Sequence, residues 1–158
     1  MASKSSKPKP DLERALSYRL HLLHKLTDQE SQRAYLAGSG LSLSDSRCLG
    51  AVGAFEPLSV NDLARRALLD KAQASRAAQS LVGMGLLLKE DCPNDGRGVV
   101  LTLSDKGRTA WRRTMSLIQQ RNQGIFGCLS EPEQAQLSTM FDRLIAHARE
   151  TAAPLTKP

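Results

Sequence analysis

Apolar residues recur at helical spacing along most of this chain and switch to strand spacing at one place. Between Asp11 and Ala37, Leu12, Leu16, Leu20, Leu23 and Leu26 repeat at intervals of three and four with no proline among them. That predicts one long amphipathic helix, ended by Gly38 and Gly40. A shorter helix follows, with Ser44 as its cap, Leu49 and Val52 turned inward, and Pro57 blocking extension. Ser59 and Asp62 have the serine-x-x-acid form of a helix start, and Val60, Leu63, Ala64 and Ala67 supply its buried stripe. Another helix opens near Asp70 with an inner face of Ala74, Ala77, Ala78 and Leu81, and Gly85 suits a left-handed C-terminal cap. Two short helices joined by a tight turn make a helix-turn-helix.

The period then changes. Leu86, Leu87 and Leu88 read as a short apolar strand, Cys92 to Gly98 as a turn-rich tip, and Val99, Leu101 and Leu103, alternating with Val100 and Thr102, as a returning strand. A hairpin directly after the second helix is what a wing requires. Ser104 caps a long helix running to about Phe126. Ser130, Pro132 and Glu133 open the last one, whose stripe is Leu137, Met140, Phe141, Leu144, Ile145 and Ala148. The predicted fold is mainly α with a small β-hairpin: a winged helix-turn-helix with long N- and C-terminal dimerisation helices. Residues 1–10 are expected to be a disordered basic tail, 11–40 the N-terminal dimerisation helix, 41–104 the winged helix-turn-helix DNA-binding region and 105–153 the C-terminal dimerisation helices, in one domain overall.

Composition sharpens this. The chain has 158 residues, 41% hydrophobic but only 4% aromatic, which favours helix-on-helix packing. Its formal charge is +6, part of it on Lys4, Lys7 and Lys9 of the tail, so a polyanionic partner is expected. No apolar run is long enough to span a membrane and the leading segment lacks a signal-peptide core, so the expected location is the cytoplasm with no membrane partner. Cys48, Cys92 and Cys128 are far apart and odd in number, and are expected to be reduced thiols.

The chemistry lies on the second helix of the pair. Small alanines on its inner face allow close packing, which leaves an outer face of Lys71, Gln73, Ser75, Arg76, Gln79 and Ser80 with no acid after Asp70. Such a face can enter the major groove, where Arg pairs with guanine and Gln with adenine, while Lys71 and Ser75 suit phosphates. Arg97 lies between Gly96 and Gly98 at the hairpin tip, where it can reach a minor groove or the backbone. No nucleophile–base–acid set, phosphate-cradling glycine loop or metal-ligand spacing is present, so no catalytic residue, cofactor or metal is expected.

At this point the sequence resembles the MarR family of bacterial regulators over about Asp11 to Thr151. The resemblance rests on Leu63-Ala64-Arg65-Arg66, Asp70-Lys71, Ser75-Arg76, Leu81, Gly85-Leu86, the wing Asp95-Gly96-Arg97, and Leu101-Thr102-Leu103-Ser104-Asp105-Lys106-Gly107-Arg108. It implies an intertwined homodimer on palindromic double-stranded DNA, usually repressing and often released by a small ligand. By position, Asp95 and Arg97 match the wing residues, and Gln73, Ser75 and Arg76 the recognition contacts. The turn before the recognition helix departs from the pattern, carrying Leu68 where a small residue is common. The resemblance also implies an effector region between the first helix, the second helix and the base of the winged part. There Tyr18, Arg19, His21 and Arg47, with Trp111 and Met115, suit a planar organic anion of the kind sensed by regulators of aromatic-acid catabolism. Peroxide sensing through a first-helix cysteine is not expected, because no cysteine precedes Cys48. His21, His24 and His147 do not form a metal site by spacing. The alternative reading is an architectural DNA-binding protein without ligand control.

Overall fold

The computed structural model describes residues 11–91 and 98–151. In chain order the elements are α1 (Leu16–Ser39), α2 (Leu43–Phe55), α3 (Val60–Ala67), α4 (Lys71–Gly83), β1 (Leu87–Asp91), β2 (Val99–Leu103), α5 (Asp105–Phe126) and α6 (Glu131–Thr151). The predicted mainly helical winged helix-turn-helix is the fold observed. The basic tail and the hairpin tip, with Cys92, Asp95 and Arg97, lie outside the described residues.

Local chemistry sets the boundaries. Asp11 caps a short 3-10 turn (Leu12–Arg14) and Ala15 is extended, so α1 begins at Leu16 rather than Asp11. Gly40, at φ 71°, ends it. The cap of α2 is Ser42, not Ser44: Ser42 is extended (ψ 163°) and its Oγ accepts from the Asp45 N–H at 3.0 Å, whereas Ser44 already lies within the first turn. Ser59 caps α3 by accepting from the Asp62 N–H. Leu86 precedes β1 instead of starting it, because its N–H is used to close α4.

The chain divides into two compact units, Met1–Ile118 and Gln119–Pro158. The core of the first is built where α2, α3, α4 and the hairpin meet. Leu49, Leu63, Leu81, Leu87 and Leu101 are all fully buried there, each removal from water contributing about 1.5–3 kcal/mol. The strands pair antiparallel with Leu87 opposite Leu103 and Lys89 opposite Leu101. Leu58 adds a bridge through reciprocal bonds with Leu101 (3.1 and 2.8 Å), which joins the segment before α3 to the wing.

Close contacts from several residues join α5 to this core. Ser104 Oγ accepts from the Gly107 N–H (2.9 Å) and lies 2.6 Å from the Gly85 carbonyl, to which it donates. A Cβ on Gly107 would stand 1.9 Å from the Leu86 carbonyl oxygen, so only glycine fits. The Glu56 carboxylate accepts from the Leu103 N–H (2.6 Å) and from Arg108 Nη1 (2.9 Å), tying the end of α2 to β2 and α5. One turn further on, the Trp111 ring occupies the space that a side chain at Gly53 would need, 2.3 Å from where its Cβ would be. Two buried hydroxyls, Ser46 Oγ and Thr114 Oγ1, have no hydrogen-bond partner among the described residues.

In the second unit Ser130 immediately precedes α6, and its N–H donates to the Glu133 carboxylate (2.7 Å). That bond, and then the Ser130 hydroxyl, hold the Glu133 carboxyl below the usual carboxylate range. No described residue of α6 is buried.

Candidate nucleic-acid interface

The face of α4 is set by how its two ends are tied. At the N-terminus the Asp70 carboxylate accepts from the Gln73 N–H at 2.7 Å, and the Gln73 side chain accepts from the Asp70 N–H at 3.2 Å. This reciprocal box satisfies two otherwise unpaired donors. It also means that Gln73, a predicted base reader, here serves the cap. At the C-terminus the Gly85 N–H reaches Val82 O and the Leu86 N–H reaches Leu81 O, both at 2.9 Å, with Gly85 at φ 72°. That pairing closes the helix and turns the chain directly into the wing.

Between the ties the helix is two-sided. Ala74, Ala77, Ala78 and Leu81 are buried, as the pattern predicts. Lys71, Gln73, Arg76 and Gln79 are exposed; Ser75 is half-buried. Ser80 is half-buried and turned toward α2, 3.4 Å from Asp45 Oδ2. The face thus carries two cations and two amides, and no acid follows Asp70 until Glu90.

The preceding helix contributes features that sequence reasoning did not single out. Arg65 is paired with Asp62, whose carboxyl is held below its ordinary range first by the Ser59 hydroxyl and then by Arg65. Arg66 stacks on Phe55, 4.3 Å from the ring centroid. The serine-x-x-acid signal and the Asp62/Arg65 spacing of three were legible; the Phe55 contact, from another helix, was not. Leu68 adopts the left-handed conformation (φ 56°, ψ 45°) and is 86% exposed, so a turn that favours glycine is made here by a solvated leucine.

The proposed effector residues are distributed as follows. Tyr18, Arg19 and His21 are exposed on α1. Arg47 on α2 is paired with Asp28 at 2.9 Å. Trp111 packs against the core on α5, with Nε1 3.4 Å from Gly50 O, and Met115 is half-buried one turn on. None of the six lines the cavity bounded by Leu41, Met84, Leu86, Lys106 and Arg113. Cys48 is fully buried, and burial, then the Asp45 charge, pushes its thiol up to about 12; Cys128 is exposed. His24 lies 3.5 Å from Asp28. Among the described residues no three His, Cys, Asp or Glu side chains gather as metal ligands, and no helix is long and apolar enough to cross a membrane.

The α1 stripe stays uncovered. Leu16, Leu20 and Leu26 are 80%, 60% and 55% exposed, and the only buried residues of α1 are Ser31 and Tyr35. On α6, Met140, Leu144 and Ile145 are likewise exposed.

Residues 39–98 match the profile of the MarR family. Among curated proteins, the chain is similar to the HTH-type transcriptional regulator BilQ of Clostridium symbiosum, 26% identical over 112 residues, which cover 71% of this chain and 78% of that one. It is similar also to the HTH-type transcriptional repressor Rv2887 of Mycobacterium tuberculosis, 24% identical over 111 residues, 70% of this chain and 80% of that one. A solved structure of Rv2887 in complex with salicylic acid matches with a TM-score of 0.68 over 82% of this chain and 96% of that one, at 24% identity. The structure of Bordetella bronchiseptica BpsR, whose DNA binding is regulated by 6-hydroxynicotinic acid, matches with a TM-score of 0.78 over 92% of this chain and 99% of that one, at 19% identity. These comparisons support the MarR family, and the shared fold is its winged helix-turn-helix.

Proposed function

We propose that this protein is a sequence-specific DNA-binding transcriptional repressor that acts as a homodimer on a palindromic operator and leaves it when a small aromatic acid-like ligand binds. The observation that carries the reading is the two-sided α4. Its alanine face is sealed in the core while Lys71, Arg76 and Gln79 project outward without a neighbouring acid on the helix. A rigid helix with donors on one side meets the demands of the major groove.

The exposed leucines of α1 motivate the dimer, since so long an apolar stripe is stabilised by a second copy. Twofold symmetry sets two recognition helices about 34–36 Å apart, one turn of duplex, and therefore calls for a palindrome. The ligand acts by favouring a dimer whose α4 separation does not match the operator. Tyr18, Arg19, His21, Arg47, Trp111 and Met115 are the residues proposed to hold it, and the 6-hydroxynicotinic acid that regulates DNA binding by BpsR and the salicylic acid in complex with Rv2887 support that ligand class.

The test is selection of duplexes from a random pool, then footprinting and titration on the selected site. A repressor protects a palindrome and prefers it over random duplex by roughly a thousandfold or more. Arg76→Ala costs about 1–3 kcal/mol on that site and relaxes preference at one base pair. Uniform coating without a preferred site overturns the proposal.

A further inference from the structure

A cavity of about 640 Å³ lies within the first unit, where the α1–α2 turn, the end of α4 and the first turns of α5 converge. It is separate from the six residues proposed above. Leu41, Met84, Leu86 and Ala110 supply an apolar wall; Lys106 and Arg113 supply two cations and Thr109 a hydroxyl. No carboxylate lines it, and Arg113 has no ion-pair partner among the described residues. Its volume falls in the ~300–1,000 Å³ range of small-molecule sites, and an apolar wall with a few convergent polar groups is their usual make-up.

We propose that this cavity is a binding site for a small amphipathic organic anion, its carboxylate held by Lys106 and Arg113 and its apolar body against Leu41, Met84 and Leu86. A bare inorganic anion would leave the apolar wall wet, and a neutral ring would leave two cations without a counter-charge. A compact monocarboxylate with a hydrocarbon body answers both.

The site has a built-in connection to α4. Lys106 Nζ donates to the Met84 carbonyl at 2.9 Å, which is the C-cap of that helix. A carboxylate that draws Lys106 toward Arg113 removes a cation from the negative end of the α4 dipole. Met84 and Leu86, on the cavity wall, lead from α4 into β1. Occupancy is therefore felt where the recognition helix joins the wing. This consequence rests on α4 being the DNA-reading helix; the anion site itself does not.

The experiment uses the full chain labelled with carbon-13 at the methionine methyls. Met84 reports on this cavity and Met115 on the α5 segment near Trp111; Met84→Leu assigns the first signal. The probe is sodium benzoate, with sodium sulfate and benzyl alcohol as controls that carry only charge or only a ring. The expected result is a saturable benzoate-dependent shift of Met84 that neither control reproduces. Arg113→Gln should raise the half-saturating concentration about tenfold or more, with Arg113→Lys in between. A Met84 signal that does not move, that benzyl alcohol moves equally, or that responds identically in Arg113→Gln overturns the proposal. Duplex binding, read on the same samples by fluorescence anisotropy, keeps the two readings apart. Loss of site preference with an intact Met84 response sinks the repressor and leaves the cavity assigned. Benzoate-dependent release from duplex with only Met115 moving sinks the cavity and leaves the repressor.

Discussion

Gly107→Ala sets two physical effects against each other with opposite signs. Gly107 lies in the first turn of α5, so helix propensity alone says that alanine stabilises by about 1 kcal/mol. The structure says otherwise. The new Cβ would lie 1.9 Å from the Leu86 carbonyl oxygen, a backbone atom with no rotamer to escape through. Carbon–oxygen contacts settle at about 3.3–3.6 Å, so the two must part by well over an ångström. Overpacking of this kind typically costs about 1–3 kcal/mol. The same movement stretches the Ser104 N–H to Leu86 O bond (3.1 Å) and the Ser104 hydroxyl bond to Gly85 O (2.6 Å), each contributing about 1 kcal/mol. Less the propensity gain, the net loss is about 2–4 kcal/mol. Urea unfolding followed by far-ultraviolet circular dichroism measures it, with Ser104→Ala as a companion that removes the cap without adding bulk. A Gly107→Ala protein as stable as the parent, or more stable, would refute the claim that the Leu86 carbonyl dictates glycine here. Because the Leu86 N–H also closes α4, the variant should weaken binding to the proposed operator beyond its effect on stability.

Thr114 is fully buried with an unpartnered hydroxyl, so Thr114→Val should raise the unfolding free energy by about 1 kcal/mol; a loss would mean that the hydroxyl has a partner. Glu56→Ala strips the acceptor from the Leu103 N–H and from Arg108, and should cost about 2–3 kcal/mol in urea unfolding, with Glu56→Gln costing less; equal costs would show that the charge contributes nothing. Cys48 should resist alkylation in the native protein while Cys128 reacts, as counted by mass spectrometry after brief iodoacetamide treatment. Its folded-state pKa is raised from 9.0 to about 12, so the folded chain keeps a proton that the unfolded chain gives up. The Cys48 contribution to stability should therefore fall by about 1.4 kcal/mol per pH unit between those values and stay constant below them. Cys48→Ala should lack that slope.

How much of this was legible in the sequence depended on the range of the interaction. Alanines spaced three and four apart and Ser59 three before Asp62 encode α4's buried face and α3's start, because both effects act within one helical turn. The Ser104-x-x-Gly107 signal was readable as a helix cap and a family motif. That its glycine exists for the Leu86 carbonyl became clear only when residues far apart in sequence were packed so closely that an added Cβ would stand 1.9 Å from that oxygen. The choice of Ser42 over Ser44 turned on a single backbone torsion, which composition does not encode. For the candidate interface, the list on α4 needed only helical periodicity, yet it could not foresee that Gln73 caps its own helix or that Ser80 turns to Asp45. The Glu56 tie, the arginine on Phe55 and the cavity between Lys106 and Arg113 join side chains from different elements. Periodic pattern alone determined which face of each element is apolar, including the α1 and α6 stripes that stay exposed, since apolar spacing is a property of one helix or strand at a time. Which carbonyls, cations and rings meet across those faces was decided only when the elements packed, because that depends on distances through space.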